Sequence, residues 1–138
     1  MGFPIDEVVA ILRETVKRWK EPIITEYART KRDPFRILIS TIISLRTKDD
    51  VTREASERLF ALADTPRRMM RLGVEKVADA IYPAGFYRNK SQVIIDTSRT
   101  IVEKFKGKVP RDIETLLSIK GVGRKTANLV VTLGYNEP

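Results

Sequence analysis

Residues 121–128 contain the residue types that could act chemically on a polyanion. They read Gly-Val-Gly-Arg-Lys-Thr-Ala-Asn, so two glycines are followed at once by two cations. Gly121 and Gly123 can adopt backbone angles closed to other residues, and without side chains they let a rod-like polyanion approach the main chain. A helix starting near Lys125 would add partial positive charge at the same place. The pattern indicates a site that binds phosphate groups without reading base sequence.

A simpler interpretation of the same residues also exists. One glycine can end a helix and the next helix can start after it, which gives the same spacing without any ligand. The glycines alone do not decide between the two interpretations, and the charge around them has to be considered.

Positive charge is concentrated near these glycines. The chain has 26 Lys and Arg against 18 Asp and Glu, a formal charge of +8, which favours a polyanionic partner over a merely basic surface. Only four acids lie between residues 86 and 126. The ten cations in that interval are Arg88, Lys90, Arg99, Lys104, Lys106, Lys108, Arg111, Lys120, Arg124 and Lys125.

The elements that must position this segment are all predicted to be helices. Apolar residues recur at helical spacing, and Asp33-Pro34 and Thr65-Pro66 are typical helix starts. The run after Pro34 is apolar on almost every side, which predicts a central buried helix. Before the hairpin segment, the predicted helices span about 5–19, 34–43, 48–63, 66–72, 74–81 and 88–105. The fold class predicted is all-α.

The length of 138 residues predicts a single domain over 1–138, without internal repeats. No apolar run approaches the roughly 20 residues of a membrane helix, so no membrane partner is expected. Residues 1–7 lack the pattern of a secretion signal, and a cytoplasmic monomer is the expectation.

Residues 81–134 resemble, in order, the core of the endonuclease III family of helix-hairpin-helix DNA glycosylases. The match begins with the Gly-aromatic-Tyr-basic lead at 84–91, continues through Gly-Lys-Val-Pro at 107–110 and enters the segment 121–128. Residues 33–49 also resemble the family's second helix and the loop after it. The resemblance implies an N-terminal helix followed by a six-helix barrel over about 34–134, with the helix-hairpin-helix motif over about 112–134.

The resemblance also implies a role for Lys125 as a catalytic nucleophile. In a bifunctional glycosylase and AP lyase of this family, a lysine attacks the sugar C1′ and forms a Schiff base, after which β-elimination cuts the strand. The expected substrates are oxidised pyrimidines and abasic sites in double-stranded DNA. Two alternatives stay open: a non-catalytic DNA-binding module, in which Lys125 is only a solvated cation, and a mismatch-directed glycosylase.

Two residues depart from the family pattern. Arg46 stands where the family commonly has a glutamine that enters the gap left by a flipped nucleotide, and a guanidinium plane could stack there instead. Lys120 replaces a proline before the first hairpin glycine. The predicted DNA-binding residues are Arg46, Lys120, Gly121, Val122, Gly123, Arg124 and Thr126.

The chain has no cysteine and no histidine, so no metal site or cofactor is expected in it. The family commonly carries a four-cysteine 4Fe-4S site and a catalytic aspartate beyond the hairpin, whereas this sequence stops at Pro138. We therefore expect a barrel domain that binds DNA but turns over poorly by itself.

Overall fold

The computed structural model describes residues 33–135, and within that range the chain forms helices and no strand. The all-α prediction is confirmed, with one helix more than the six expected for the barrel. The predicted helix over 5–19 lies outside the described residues. The helices are α1 (Pro34–Ser44), α2 (Asp49–Leu62), α3 (Pro66–Leu72), α4 (Val74–Ile81), α5 (Tyr87–Phe105), α6 (Ile113–Leu117) and α7 (Arg124–Leu129), with α7 continuing into a π-helical turn (Val130–Gly134).

Helix α1 is the central element of this bundle. It begins as predicted, because the Asp33 carboxylate accepts a hydrogen bond from the Phe35 N–H at 3.0 Å and Pro34 needs no such partner. Eight of its eleven residues are buried. Its β-branched run forms a helix because α2, α5, α7 and the π-helical turn surround it and offer no strand to pair with.

Helix α5 is the longest helix of the described part. It contacts both the loop that contains Arg46 and the turn over 118–123. It packs against α3, α4 and α1. Its first residue follows Phe86, and its last precedes Lys106 and Gly107, all three of which have positive φ. The predicted stop near Gly107 is therefore confirmed.

The helix-hairpin-helix motif consists of α6, the turn over 118–123 and α7. The Asp112 carboxylate starts α6 by accepting a hydrogen bond from the Thr115 N–H at 2.9 Å. That bond, together with one from the Thr115 hydroxyl, lowers the pKa of Asp112. After the turn, α7 and its π-helical continuation pack against α1, with Ala127 and Val130 fully buried. This packing determines which side of α7 faces outward.

Within residues 33–135, no helix has both the length and the apolar character required to cross a membrane.

Candidate nucleic-acid interface

The hairpin is held tightly against the middle of α5. Gly121 has φ +96°, and a Cβ atom added there would lie 2.6 Å from a methyl carbon of Val93. The Thr97 hydroxyl also contacts the neighbouring carbonyl of Lys120 at 3.5 Å. Position 121 therefore requires glycine for two reasons: its φ is positive, and α5 lies too close to leave room for a Cβ atom.

Gly123, by contrast, faces open space. A Cβ atom added there would have no neighbour within 4 Å, and its φ of −90° is accessible to any residue. It precedes α7 and has no side chain, so it offers no side-chain acceptor to which the first N–H groups of that helix could donate. The absent side chain thus leaves room for a ligand next to a helix N-terminus.

Three predicted site cations are exposed around this opening. Lys120 lies before the hairpin glycines, and Arg124 and Lys125 form the start of α7. Lys125 points outward because the residues that follow it, Thr126 and Ala127, are turned into the core. One short segment of the chain therefore carries exposed cations, a glycine beside open space and the exposed primary amine of Lys125.

Two predicted binding residues have their side chains inside the protein. Val122 is 6% exposed and Thr126 is 2% exposed. The Val122 N–H donates to the Ile119 carbonyl at 3.1 Å, which closes the turn. Their side chains support the hairpin from within, and Thr126 could reach a phosphate only through its main-chain N–H.

Arg46 lies on a separate loop, after α1 and beside the start of α5. Its side chain is exposed, and its φ of +57° is in the left-handed region, which arginine rarely occupies. The guanidinium carbon lies 5.6 Å from the centre of the Phe86 ring, a cation–π distance. Phe86 is itself 61% exposed, so the two side chains form a protruding stacked pair.

Lys90 is buried directly beneath this loop. Its ammonium donates to the Ile43 carbonyl at 2.8 Å, to the Thr47 hydroxyl at 2.8 Å and to the Leu45 carbonyl. Only 7% of the residue is exposed, and burial lowers the pKa of Lys90 to about 8. Lys90, one of the ten cations between residues 86 and 126, is therefore not part of the exposed positive surface.

Sequence reasoning missed Lys90 because its partners lie more than 40 residues earlier in the chain. A single lysine at the start of a cationic helix shows no pattern that distinguishes a buried ammonium from an exposed one. Only the packing of α5 against the end of α1 reveals the difference.

One face of α5 connects the loop to the hairpin. Lys90, Val93 and Thr97 are spaced i, i+3 and i+7, which places them on the same side of the helix. Lys90 contacts the loop, whereas Val93 and Thr97 contact the hairpin. From Lys90 to Thr97 the helix rises about 10 Å, close to three base-pair steps of a duplex.

The chain lacks cysteine, so its own residues do not fit an iron–sulfur cluster. In the range 33–135, no three acidic side chains come together as metal ligands.

Comparison with known proteins identifies the family. The model for HhH-GPD superfamily base excision DNA repair proteins matches residues 39–137, which include the Arg46 loop, Lys90 and the hairpin. This chain belongs to that superfamily. The HhH-GPD match extends over most of the chain and supports the resemblance read from the hairpin and from the residues that precede α5.

Curated relatives in the HhH-GPD superfamily include bacterial endonucleases III. The chain is 42% identical over 128 residues to endonuclease III of Thermotoga maritima, covering 93% of this chain and 57% of that protein. It is 39% identical over 105 residues to endonuclease III of Escherichia coli K12, covering 76% of this chain and 50% of that protein. The chain thus spans about half the length of the curated relatives it matches.

Solved structures agree with the superfamily assignment. A trapped covalent intermediate of an endonuclease III with DNA superposes with a TM-score of 0.75 at 30% identity, covering 100% of this chain and 63% of that one. A thermostable thymine-DNA glycosylase gives a TM-score of 0.73 at 22% identity, covering 83% of this chain and 57% of that one, which shows a shared fold.

Proposed function

We propose that this chain is the DNA-binding, nucleophile-bearing part of a bifunctional DNA glycosylase and AP lyase. The observation that carries the proposal is the exposed amine of Lys125 in the first turn of α7, directly after a hairpin whose outer side is open at Gly123. Membership of a base excision repair superfamily supports it. The substrates are duplexes that contain an oxidised pyrimidine or an abasic site.

Binding precedes chemistry in this mechanism. The free N–H groups at the start of α7 and the cations Lys120 and Arg124 hold the phosphate backbone of one strand. Arg46 fills the gap left when the damaged nucleotide leaves the base stack. The protein acts as a monomer in the cytoplasm.

Lys125 then performs the covalent step. At an abasic site its neutral amine adds to the C1′ aldehyde and loses water, which gives an iminium between Lys125 and the sugar. Loss of a C2′ proton allows the 3′ phosphate to depart, which breaks the strand by β-elimination. On an oxidised pyrimidine nucleotide, the amine first displaces the base at C1′, and the base leaves with the proton that the amine loses. Cleavage of the C1′–O4′ bond then opens the sugar ring and gives the same iminium.

Replacing Lys125 by arginine tests this assignment under single-turnover conditions. Arginine retains the positive charge but stays protonated and cannot act as a neutral amine nucleophile. We expect incision of an abasic-site duplex to fall at least about 100-fold in Lys125→Arg. Affinity for the same duplex should stay within about threefold, since one cation replaces another.

Lys76→Arg is the matched control, because it makes the same chemical exchange at an exposed lysine on α4, outside the hairpin. It should incise at the unaltered rate. Equal incision by Lys125→Arg would remove Lys125 as the nucleophile and support the non-catalytic module instead. Substrate class is tested with the unaltered chain, where faster excision from a mismatch than of an oxidised pyrimidine would overturn the proposed substrate.

A further inference from the structure

All three N–H donors of the buried Lys90 ammonium find acceptors within one short stretch of the chain. A lysine ammonium has three N–H donors, and here they meet the Ile43 carbonyl, the Leu45 carbonyl and the Thr47 hydroxyl. A buried charge persists only where it has such partners. These contacts connect the start of α5 to residues 43–47, without involving any other described segment.

The stretch held by Lys90 is one that needs external support. The Ile43 carbonyl lies in the last turn of α1, where helical N–H donors run out, and it accepts a hydrogen bond from the Lys90 ammonium. Arg46, which follows, has φ +57°, a conformation that is unfavourable for an arginine unless its surroundings impose it. Lys90 contacts the residues on both sides of Arg46, namely Leu45 and Thr47.

Gly85 restrains the same loop from a second direction. Its N–H donates to the Thr47 hydroxyl at 2.9 Å, and a Cβ atom added at Gly85 would lie 2.6 Å from the Arg46 carbonyl oxygen. The Thr47 hydroxyl therefore connects both restraints. The Arg46 backbone is enclosed below and beside, while its side chain is exposed above Phe86.

We propose that Lys90 is a positioning residue that holds the 45–47 loop in the conformation from which Arg46 enters the gap left by a flipped nucleotide. Lys90 does not touch DNA, because it is buried beneath the loop. It acts through the backbone of Leu45 and the side chain of Thr47. This inference rests on the proposed function, since it needs a duplex with a vacated position.

The test compares two affinities for each variant: one for a duplex with a tetrahydrofuran abasic-site analogue and one for the same duplex intact. We expect Lys90→Met to lose about tenfold in affinity for the abasic duplex, while affinity for the intact duplex is unchanged. Arg46→Ala should show the same selective loss. The double variant should lose no more than either single variant, because both substitutions remove the same insertion.

Lys76→Met is the matched control, since Lys76 is an exposed lysine on α4 that lines a groove with residues of α2 and not with the 45–47 loop. It removes the same charge and should retain the full preference for the abasic duplex. A 2-aminopurine placed opposite the abasic position provides a second readout. Its fluorescence should change when the unaltered chain binds but not when Lys90→Met binds. If Lys90 served only the stability of the fold, the folded variant would still produce the fluorescence change.

Thr47→Val tests the same role of the loop contacts should Lys90→Met not fold. It preserves side-chain shape while removing the oxygen shared by Lys90 and Gly85, and it should reduce the preference in the same direction. Retained preference in both Thr47→Val and any folded Lys90→Met would overturn the inference. So would additive losses in the double variant, or an unaltered chain that binds DNA without preferring the abasic duplex. Failure to bind any duplex would instead overturn the proposed function.

Discussion

At the scale of single residues, the two lysines of interest differ in environment. Lys125 is exposed and held outward by the buried residues that follow it, whereas Lys90 is buried with three oxygen partners. Sequence alone presents both as cations in a basic region. The structure shows that one is exposed at the start of α7 and that the other donates hydrogen bonds to the 45–47 loop.

The lowered pKa of Lys90 predicts how stability depends on pH. The group keeps its proton to about pH 10.5 when unfolded but only to about pH 8 when folded, since burial disfavours the charge. Between these values the unfolded chain binds more protons, so the free energy of unfolding contributed by Lys90 rises with pH. The cost of burying the charge is fully present below pH 8 and is relieved above it.

Urea unfolding of the unaltered chain and of Lys90→Met at pH 7 and pH 9.5 measures this effect. We expect the stability of the unaltered chain, relative to the variant, to increase at the higher pH. A difference that is the same at both pH values would show that the pKa of Lys90 is not lowered. Lys76→Met, which removes a lysine at an exposed site, is measured alongside as the control.

At the scale of elements, the two hairpin glycines have separate roles. Gly121 meets α5 and has a positive φ, whereas Gly123 faces open space at an ordinary φ. The sequence pattern treats them alike, as sites where a polyanion approaches the backbone. In the structure only Gly121 lies against α5, and the space beside Gly123 is open, where we propose that DNA approaches.

Alanine substitutions distinguish these roles. Gly121→Ala should cost more than about 1 kcal/mol of unfolding free energy, because it combines backbone strain with a clash against Val93. Gly123→Ala should leave stability within about 1 kcal/mol but weaken duplex affinity about tenfold, since its methyl group occupies the space of the phosphate backbone. Chemical denaturation and fluorescence anisotropy measure the two quantities. Tight DNA binding by Gly123→Ala would place the backbone elsewhere.

At the scale of the whole molecule, sequence patterns within a single helix predicted where helices begin and end, whereas contacts between distant segments could not be predicted. Asp33-Pro34 predicted the start of α1, and the apolar spacing over 88–105 predicted α5 to within one residue, because caps and helical periodicity are local properties. The left-handed Arg46 and the buried Lys90 were not predictable. Both depend on contacts between residues 43–47 and 85–90, which no local pattern records.

The geometry of the candidate site was predictable in part for the same reason. The hairpin lies within one stretch of chain, so its glycines and cations could be recognised together. The support that α5 gives to both the hairpin and the Arg46 loop became apparent only in the folded chain. Burial of the Val122 and Thr126 side chains likewise became apparent only in the folded chain.

The central claim is that Lys125 is a working nucleophile, and borohydride trapping tests it most directly. The chain and its Lys125→Ala variant are incubated with an abasic-site duplex and borohydride, which reduces an iminium to a stable amine. We predict a covalent protein–DNA adduct, mapped to Lys125, that is absent from the variant although the variant still binds the duplex. An adduct of equal yield in Lys125→Ala, or none from an unaltered chain that binds the duplex tightly, would contradict the account.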